Sequence, residues 1–194
     1  MLNNNEVMNL LLKTEALLEG HFILSSGLRS QKYVQCAKLL MYPDKSEIIC
    51  RSLSEKIISN NLNIDLVVSP AIGGIVAGYE VAKNLNVPFM FTERVNGKFT
   101  LRRGFDLKKF KKVLIVEDVI TTGKSSLECA DCIKSLNCNV VGYACIIDRS
   151  NKKSLIKEQI ISEIEIDIPS YKPDEIPESL KRINPSKPGS RTNI

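Results

Sequence analysis

The chain has 194 residues, 43% of them hydrophobic and 25% charged, a balance that excludes the disordered, collagenous and disulfide-dense classes. A chain of this length buries about 70% of its unfolded surface, so a single domain over residues 1–194 is expected, without metal or disulfide staples. The longest apolar candidate, 66–82, is broken by Pro70, Gly73, Gly74 and Gly78, which argues against a membrane-spanning helix.

No basic segment precedes the short apolar stretch near the start, so the six cysteines are expected as reduced thiols of a cytoplasmic protein. The formal net charge is +5, and it is unevenly spread. Residues 94–112 hold eight lysines and arginines against Asp106 alone. A basic segment on an otherwise balanced chain points to a local anionic partner, a phosphate-rich small molecule or a nucleic acid, with a solvated loop as the plainer alternative.

Residues 7–19 space their apolar side chains as a helix does and end at Gly20, and 44–60 repeat the pattern after Pro43-Asp44. A short β-branched run at 65–69 reads as a strand buried on both faces, followed by a glycine-rich turn and a helix to Asn84. The order recurs: a strand at 87–91, a strand at 112–116 with a helix at 125–136, and a strand at 139–147. Such alternation predicts an α/β fold with a mostly parallel sheet flanked by helices. Ile164, Ile166 and Ile168 alternate with Glu163, Glu165 and Asp167, the pattern of a strand with one wet face, at an edge or in a small subdomain. Four prolines after Pro169 forbid a long helix in the tail.

The stretch that carries chemistry is Val113-Leu114-Ile115-Val116-Glu117-Asp118-Val119-Ile120-Thr121-Thr122-Gly123-Lys124-Ser125. A buried strand delivers two adjacent acids to the carboxyl edge of a parallel sheet, where open α/β folds bind ligands. The chain then turns through hydroxyls and a glycine into a helix start, whose free N–H groups and dipole suit a phosphate monoester. Phosphate would repel the acids, so they imply sugar hydroxyls or a hard cation such as magnesium. A nucleotide P-loop would need glycine where Asp118 stands.

This stretch resembles the phosphoribosyl-pyrophosphate motif of the type I phosphoribosyltransferases. Further stretches are similar, in order, to the orotate branch of that family: Gly20-His21-Phe22-Ile23-Leu24-Ser25-Ser26-Gly27 with Tyr33-Val34-Gln35-Cys36-Ala37, then Ser69-Pro70-Ala71-Ile72-Gly73-Gly74-Ile75. After them come Phe91-Thr92-Glu93-Arg94 to Leu101-Arg102-Arg103-Gly104-Phe105, Asp148-Arg149-Ser150, and Lys187-Pro188-Gly189-Ser190-Arg191. The likeness spans nearly the whole chain and points to the shorter-loop members.

The resemblance implies transfer of ribose 5-phosphate from phosphoribosyl pyrophosphate to orotate with Mg2+, in pyrimidine synthesis. A purine phosphoribosyltransferase and a phosphoribosyl-pyrophosphate-sensing, nucleic-acid-binding regulator are the alternatives. It further implies that Glu117 and Asp118 hold the ribose hydroxyls and that Val119, Ile120, Thr121, Thr122, Gly123, Lys124 and Ser125 wrap the 5'-phosphate. Ala71, Ile72, Gly73 and Gly74, with Arg94, would bind the diphosphate, while Arg149, Thr121, Tyr33 and Ser25 would receive orotate. Magnesium would be held mainly through the substrate, with Asp118 as the protein donor.

Lys98, Arg102 and Arg103 are the candidates for assisting departure of diphosphate beside Asp118, because the lysines and the loop histidine of longer-loop members have no counterpart here. A homodimer is implied, with the segment 98–103 completing the partner's site and Gly97 and Gly104 as hinges. A small hood from about 1–40 and 160–194 is also implied. His21 is expected to be structural, and Cys129 and Cys132 to be packing residues.

Overall fold

The computed structural model describes residues 1–24 and 26–188. Asn3 caps the first helix, α1 (Asn4–Lys13), in a reciprocal capping box with Glu6. The helix stops far short of Glu19, the expected end. Glu15 adopts a left-handed φ of 56°, which breaks the helical path, and Leu17 and Leu18 enter strand β1 (Leu17–Ile23). That strand pairs antiparallel with β2 (Arg29–Val34), Leu17 opposite Val34. The apolar spacing at 16–18 serves either structure, and the pairing with β2 decides between them. Ser25 lies outside the described residues.

A short α2 (Ala37–Leu40) leads into α3 (Pro43–Ser59), whose Pro43 at the first turn supplies a pre-set φ where no N–H is needed. Then come β3 (Leu66–Pro70), α4 (Gly74–Leu85), β4 (Phe89–Val95), β5 (Lys98–Leu101), β6 (Lys112–Ile120), α5 (Lys124–Ser135) and β7 (Asn139–Asp148). The chain closes with β8 (Ile160–Glu165), β9 (Ser170–Tyr171) and α6 (Glu178–Lys181). The central sheet runs β5-β4-β3-β6-β7-β8, all parallel except β5. β4 begins and ends later than the expected 87–91.

Both faces of this sheet are covered, which explains why its strands read as continuous apolar runs. Val67 packs with α3 and α4 residues such as Leu53 and Val81, whereas Leu66 and Val68 pack on the other face with Cys129 and Ile133 of α5. From the centre, β3 crosses through α4 to β4 on one side and β6 crosses through α5 to β7 on the other. The carboxyl ends of β3 and β6 therefore flank the point where the winding reverses, the place at which open α/β sheets form a crevice.

Two expectations are corrected. The basic segment is not a loop throughout: β4 and β5 form a hairpin closed by Asn96 (φ 49°) and Gly97 (φ 81°), a two-residue turn that needs positive φ at both positions. Gly97 thus serves a tight turn. The alternation at 163–168 holds in part: β8 is an edge strand of the central sheet and Glu165 and Asp167 are exposed, as expected, but Glu163 is buried at 1% exposure.

That second sheet is three-stranded, β1-β2-β9. The tail lies along it: Ile23 N–H donates to the Ser186 carbonyl and Ser186 N–H donates to the His21 carbonyl, both at 2.8 Å. His21, buried, places Nδ1 3.0 Å from the Ile183 carbonyl oxygen. A carbonyl only accepts, so Nδ1 carries the proton, and the ring fastens the tail. Lys187 and Pro188 follow, while Gly189, Ser190 and Arg191 lie outside the described residues. Among the described residues no helix is long and apolar enough to cross a membrane.

Candidate active site

The acid pair stands near the end of β6 and meets the glycine turn after β3. A Cβ on Gly73 would sit 2.8 Å from Oδ1 of Asp118, and one on Gly74 would sit 3.2 Å from Oε2 of Glu117 and 3.0 Å from the Val116 carbonyl oxygen. A side chain at Gly73 would displace the Asp118 carboxylate and one at Gly74 would crowd the Val116 carbonyl, so glycine suits the close approach. Ala71 N–H donates to the Thr92 carbonyl at 2.8 Å, tying the turn to β4. The peptide between Ala71 and Ile72 is cis, and the Ile72 side chain is exposed.

Among the described residues, no cation acts on the two acids. Burial, with the neighbouring Asp118, pushes the Glu117 carboxyl up to about 8, and burial also raises Asp118. These acidic oxygens therefore stand at the crevice without a basic partner of their own among the described residues. Oxygen donors of this kind fit sugar hydroxyls or a hard cation. Among the described residues no group of three or more His, Cys, Asp and Glu side chains gathers as a metal site.

Directly after the acids, residues 119–126 and Glu117 line a cavity of about 60 Å³. Gly123, at φ 76°, turns the chain into α5. A Cβ there would lie 2.6 Å from Oγ of Ser154, so the 150–156 segment presses on the loop, and Leu155 N–H donates to the Thr122 carbonyl at 2.9 Å. Thr122 Oγ1 accepts Lys124 N–H at 3.3 Å. The N–H groups of Ser125 and Ser126 in the first turn of α5 and the exposed Thr121 and Ser125 hydroxyls are left to face an anion.

Arg149 follows β7, with its N–H donating to the Ile120 carbonyl at 2.8 Å, beside the loop. Its Nε is buried without a partner. Burial lowers the guanidinium from its ordinary range, and Tyr33 of β2 is the ionisable group acting on it from across the crevice. Tyr33 thus stands near Arg149 at this end of the sheets, and a half-buried guanidinium whose Nε lacks a partner among the described residues suits a carboxylate ligand.

The basic segment is divided. Lys111 and Lys112 stand at the start of β6, their N–H groups donating to Asp65, about 20 Å from Asp118 by strand rise. Lys98, Arg102 and Arg103 lie in or just after the hairpin. Arg103 is committed to Glu93 through two contacts of 2.8 Å, and this pair lowers the Glu93 carboxyl and raises the Arg103 guanidinium. Lys98 and Arg102 are exposed. Arg94 is paired with Glu128 of α5, a residue that the motifs did not single out. Cys129 and Cys132 are free thiols on α5, and Cys129, buried, accepts from Thr92 Oγ1 at 3.3 Å.

Acids and an anion-suited loop thus meet at the winding reversal, and residues 41–173 match the family model for the phosphoribosyl transferase domain. The orotate phosphoribosyltransferase of Brucella ovis is 47% identical over 191 residues, which cover 98% of this chain and 99% of the relative. A crystal structure of the Aeropyrum pernix orotate phosphoribosyltransferase superposes with a TM-score of 0.72 at 23% identity, covering 82% of this chain and 93% of that one. The Francisella tularensis orotate phosphoribosyltransferase follows with a TM-score of 0.60 at 26% identity, covering 78% and 76%. The chain belongs to the orotate phosphoribosyltransferase family.

Proposed function

We propose that the protein transfers ribose 5-phosphate from 5-phospho-α-D-ribose 1-diphosphate to orotate, giving orotidine 5'-monophosphate and diphosphate in pyrimidine synthesis. The observation that carries this reading is the meeting of the acid pair with the glycine turn and the phosphate loop at one crevice. In this reading the loop 121–125 holds the 5'-phosphate, Glu117 and Asp118 accept the ribose hydroxyls, and the backbone of the 71–74 turn receives the diphosphate. Arg149 orients orotate through its carboxylate, with Tyr33 and Thr121 beside it. The small sheet of β1, β2 and β9 acts as the hood over the base.

Departure of diphosphate leaves positive charge on the sugar and gathers negative charge on the leaving oxygens, so the chain contributes mainly by position and electrostatics. Magnesium bound with the diphosphate would supply positive charge at those oxygens, and the oxygen-only character of Glu117 and Asp118 fits such an ion. Little proton transfer is required, in keeping with a single histidine used to fasten the tail.

The active form is a homodimer in which Lys98 and Arg102 reach the neighbouring subunit's site. Support comes from their exposure on an edge hairpin and from Ile72, Val76 and Tyr79, 86%, 44% and 58% exposed along one stripe at and before α4.

The decisive experiment follows orotate absorbance with the sugar diphosphate and magnesium. Its loss is expected, and turnover of a purine base instead would overturn the reading. Tight binding of RNA or DNA without turnover would favour a regulator. For the dimer, inactive Lys98→Ala and Asp118→Asn subunits are mixed and allowed to exchange. Recovery of about a quarter of wild-type activity is expected for random pairing, and no recovery after verified exchange would place the hairpin in its own subunit's site.

A further inference from the structure

Glu128, in the second turn of α5, reaches two cations that belong to different parts of the site. Its Oε2 lies 2.5 Å from Nη2 of Arg94, and its Oε1 lies 3.8 Å from Nζ of Lys124. Arg94 is held at two further points: Nη1 donates to the Gly97 carbonyl at 2.8 Å, and the guanidinium carbon stands 4.1 Å from the centroid of the Phe99 ring. Phe99 is buried, so the ring is a fixed platform for the cation. A carboxylate, a carbonyl and an aromatic face thus fix one guanidinium.

The placement of these groups matters for the sugar diphosphate. Arg94 leaves β4 two residues after Thr92, on the same face, and the Thr92 carbonyl anchors the start of the glycine turn. Lys124 begins α5 directly after the phosphate loop. Glu128 therefore stands between the two anion-binding ends of the site. An acid in that place opposes anions unless its charge is needed by the cations around it. Its two contacts are unequal: Arg94 is held tightly, whereas Lys124 is loosely met and its side chain is 72% exposed.

We propose that Glu128 is a positioning residue for the transfer. It holds the Arg94 guanidinium at the edge where the diphosphate binds, and it leaves Lys124 free to turn to the phosphate loop when the substrate arrives. The proposal rests on the reading of Arg94 as a diphosphate contact. Glu128→Gln keeps the length of the side chain and removes its charge, and Glu128→Asp keeps the charge and shortens the reach.

In the full chain with magnesium, Glu128→Gln is expected to raise KM for the sugar diphosphate about tenfold. KM for orotate and the unfolding temperature should stay as in the parent, and Glu128→Asp should recover part of the loss. In an Arg94→Ala background, Glu128→Gln should add nothing, because its effect passes through Arg94. An unchanged KM in Glu128→Gln would overturn the proposal. So would an undiminished effect in the Arg94→Ala background, or equal losses for both substrates with a lowered unfolding temperature. If Arg94→Ala by itself leaves KM for the sugar diphosphate unchanged, the reading of Arg94 fails and Glu128 loses its role with it.

Discussion

Carboxylates are buried in two regions of the central sheet, and the protein treats them in opposite ways. On β8, Glu163 is enclosed at 1% exposure, yet Ser52 Oγ donates to its Oε1 at 2.7 Å and Lys56 Nζ stands 3.3 Å from its Oε2. Lys56 also donates to the Glu163 backbone carbonyl at 2.6 Å. At the end of β6, Glu117 is buried and Asp118 half-buried, with no cation among the described residues acting on them, and just after the next strand Arg149 keeps a buried Nε without a partner among those residues. Burial raises all three carboxyls. A buried carboxylate with a cation beside it serves the fold, whereas acids without one at a crevice are open to a ligand.

The comparison is broken most directly at Asp118. Asp118→Asn removes a charge and no volume, so kcat/KM should fall about a hundredfold, close to ~2.7 kcal/mol of transition-state stabilisation, with the unfolding temperature unchanged. Turnover at the wild-type rate would remove the acid pair from the site. Arg149→Ala comes next: KM for orotate should rise about thirtyfold, near ~2 kcal/mol for a lost charge-assisted contact, while KM for the sugar diphosphate changes much less. Equal losses for both substrates would make Arg149 a residue of the fold, like Lys56.

The other region should respond in stability. Lys56→Met leaves the Glu163 carboxylate enclosed without its cation and should cost about 1 to 2 kcal/mol in denaturant unfolding, with kcat unchanged. A loss of turnover in the folded variant would erase the distinction between the two regions. The smallest expected effect sharpens it by pH. The Glu117 carboxyl sits at about 8 in the folded protein against about 4.3 in an unfolded chain. The stability of its neutral form is therefore full at low pH and is lost as pH rises through about 8. In the free protein, Glu117→Gln should match the parent's unfolding temperature near pH 4 and exceed it by a few degrees near pH 9. Equal temperatures at both ends would mean that Glu117 meets a partner or water in the free protein.

Much of the fold is legible in the residues because it depends on local spacing. The apolar runs of β3, β6 and β7 announce strands buried on both faces, and the two acids followed by Thr121-Thr122-Gly123 announce an anion loop at a helix start. Where spacing serves two structures it fails: Leu17 and Leu18 continue the helical spacing of α1, yet they pair with β2. The Asn96-Gly97 turn is a hairpin signal that the surrounding lysines and arginines concealed. Glu163 alternates like a solvent-facing residue, and only the packing of α3 over β8 encloses it.

The order of residues by itself determined the parallel α/β class, the hydroxyl-rich loop before α5 and the glycine turn, since each rests on backbone geometry within a few residues. Which charges meet was decided only by the tertiary structure. The sheet brings Gly73 against Asp118, sets Arg149 opposite Tyr33, commits Arg103 to Glu93 and joins Arg94 to Glu128, while it carries Lys111 and Lys112 to the far end of β6. Electrostatic partners are fixed by distances of a few ångströms between residues far apart in the chain, and no local pattern encodes those distances.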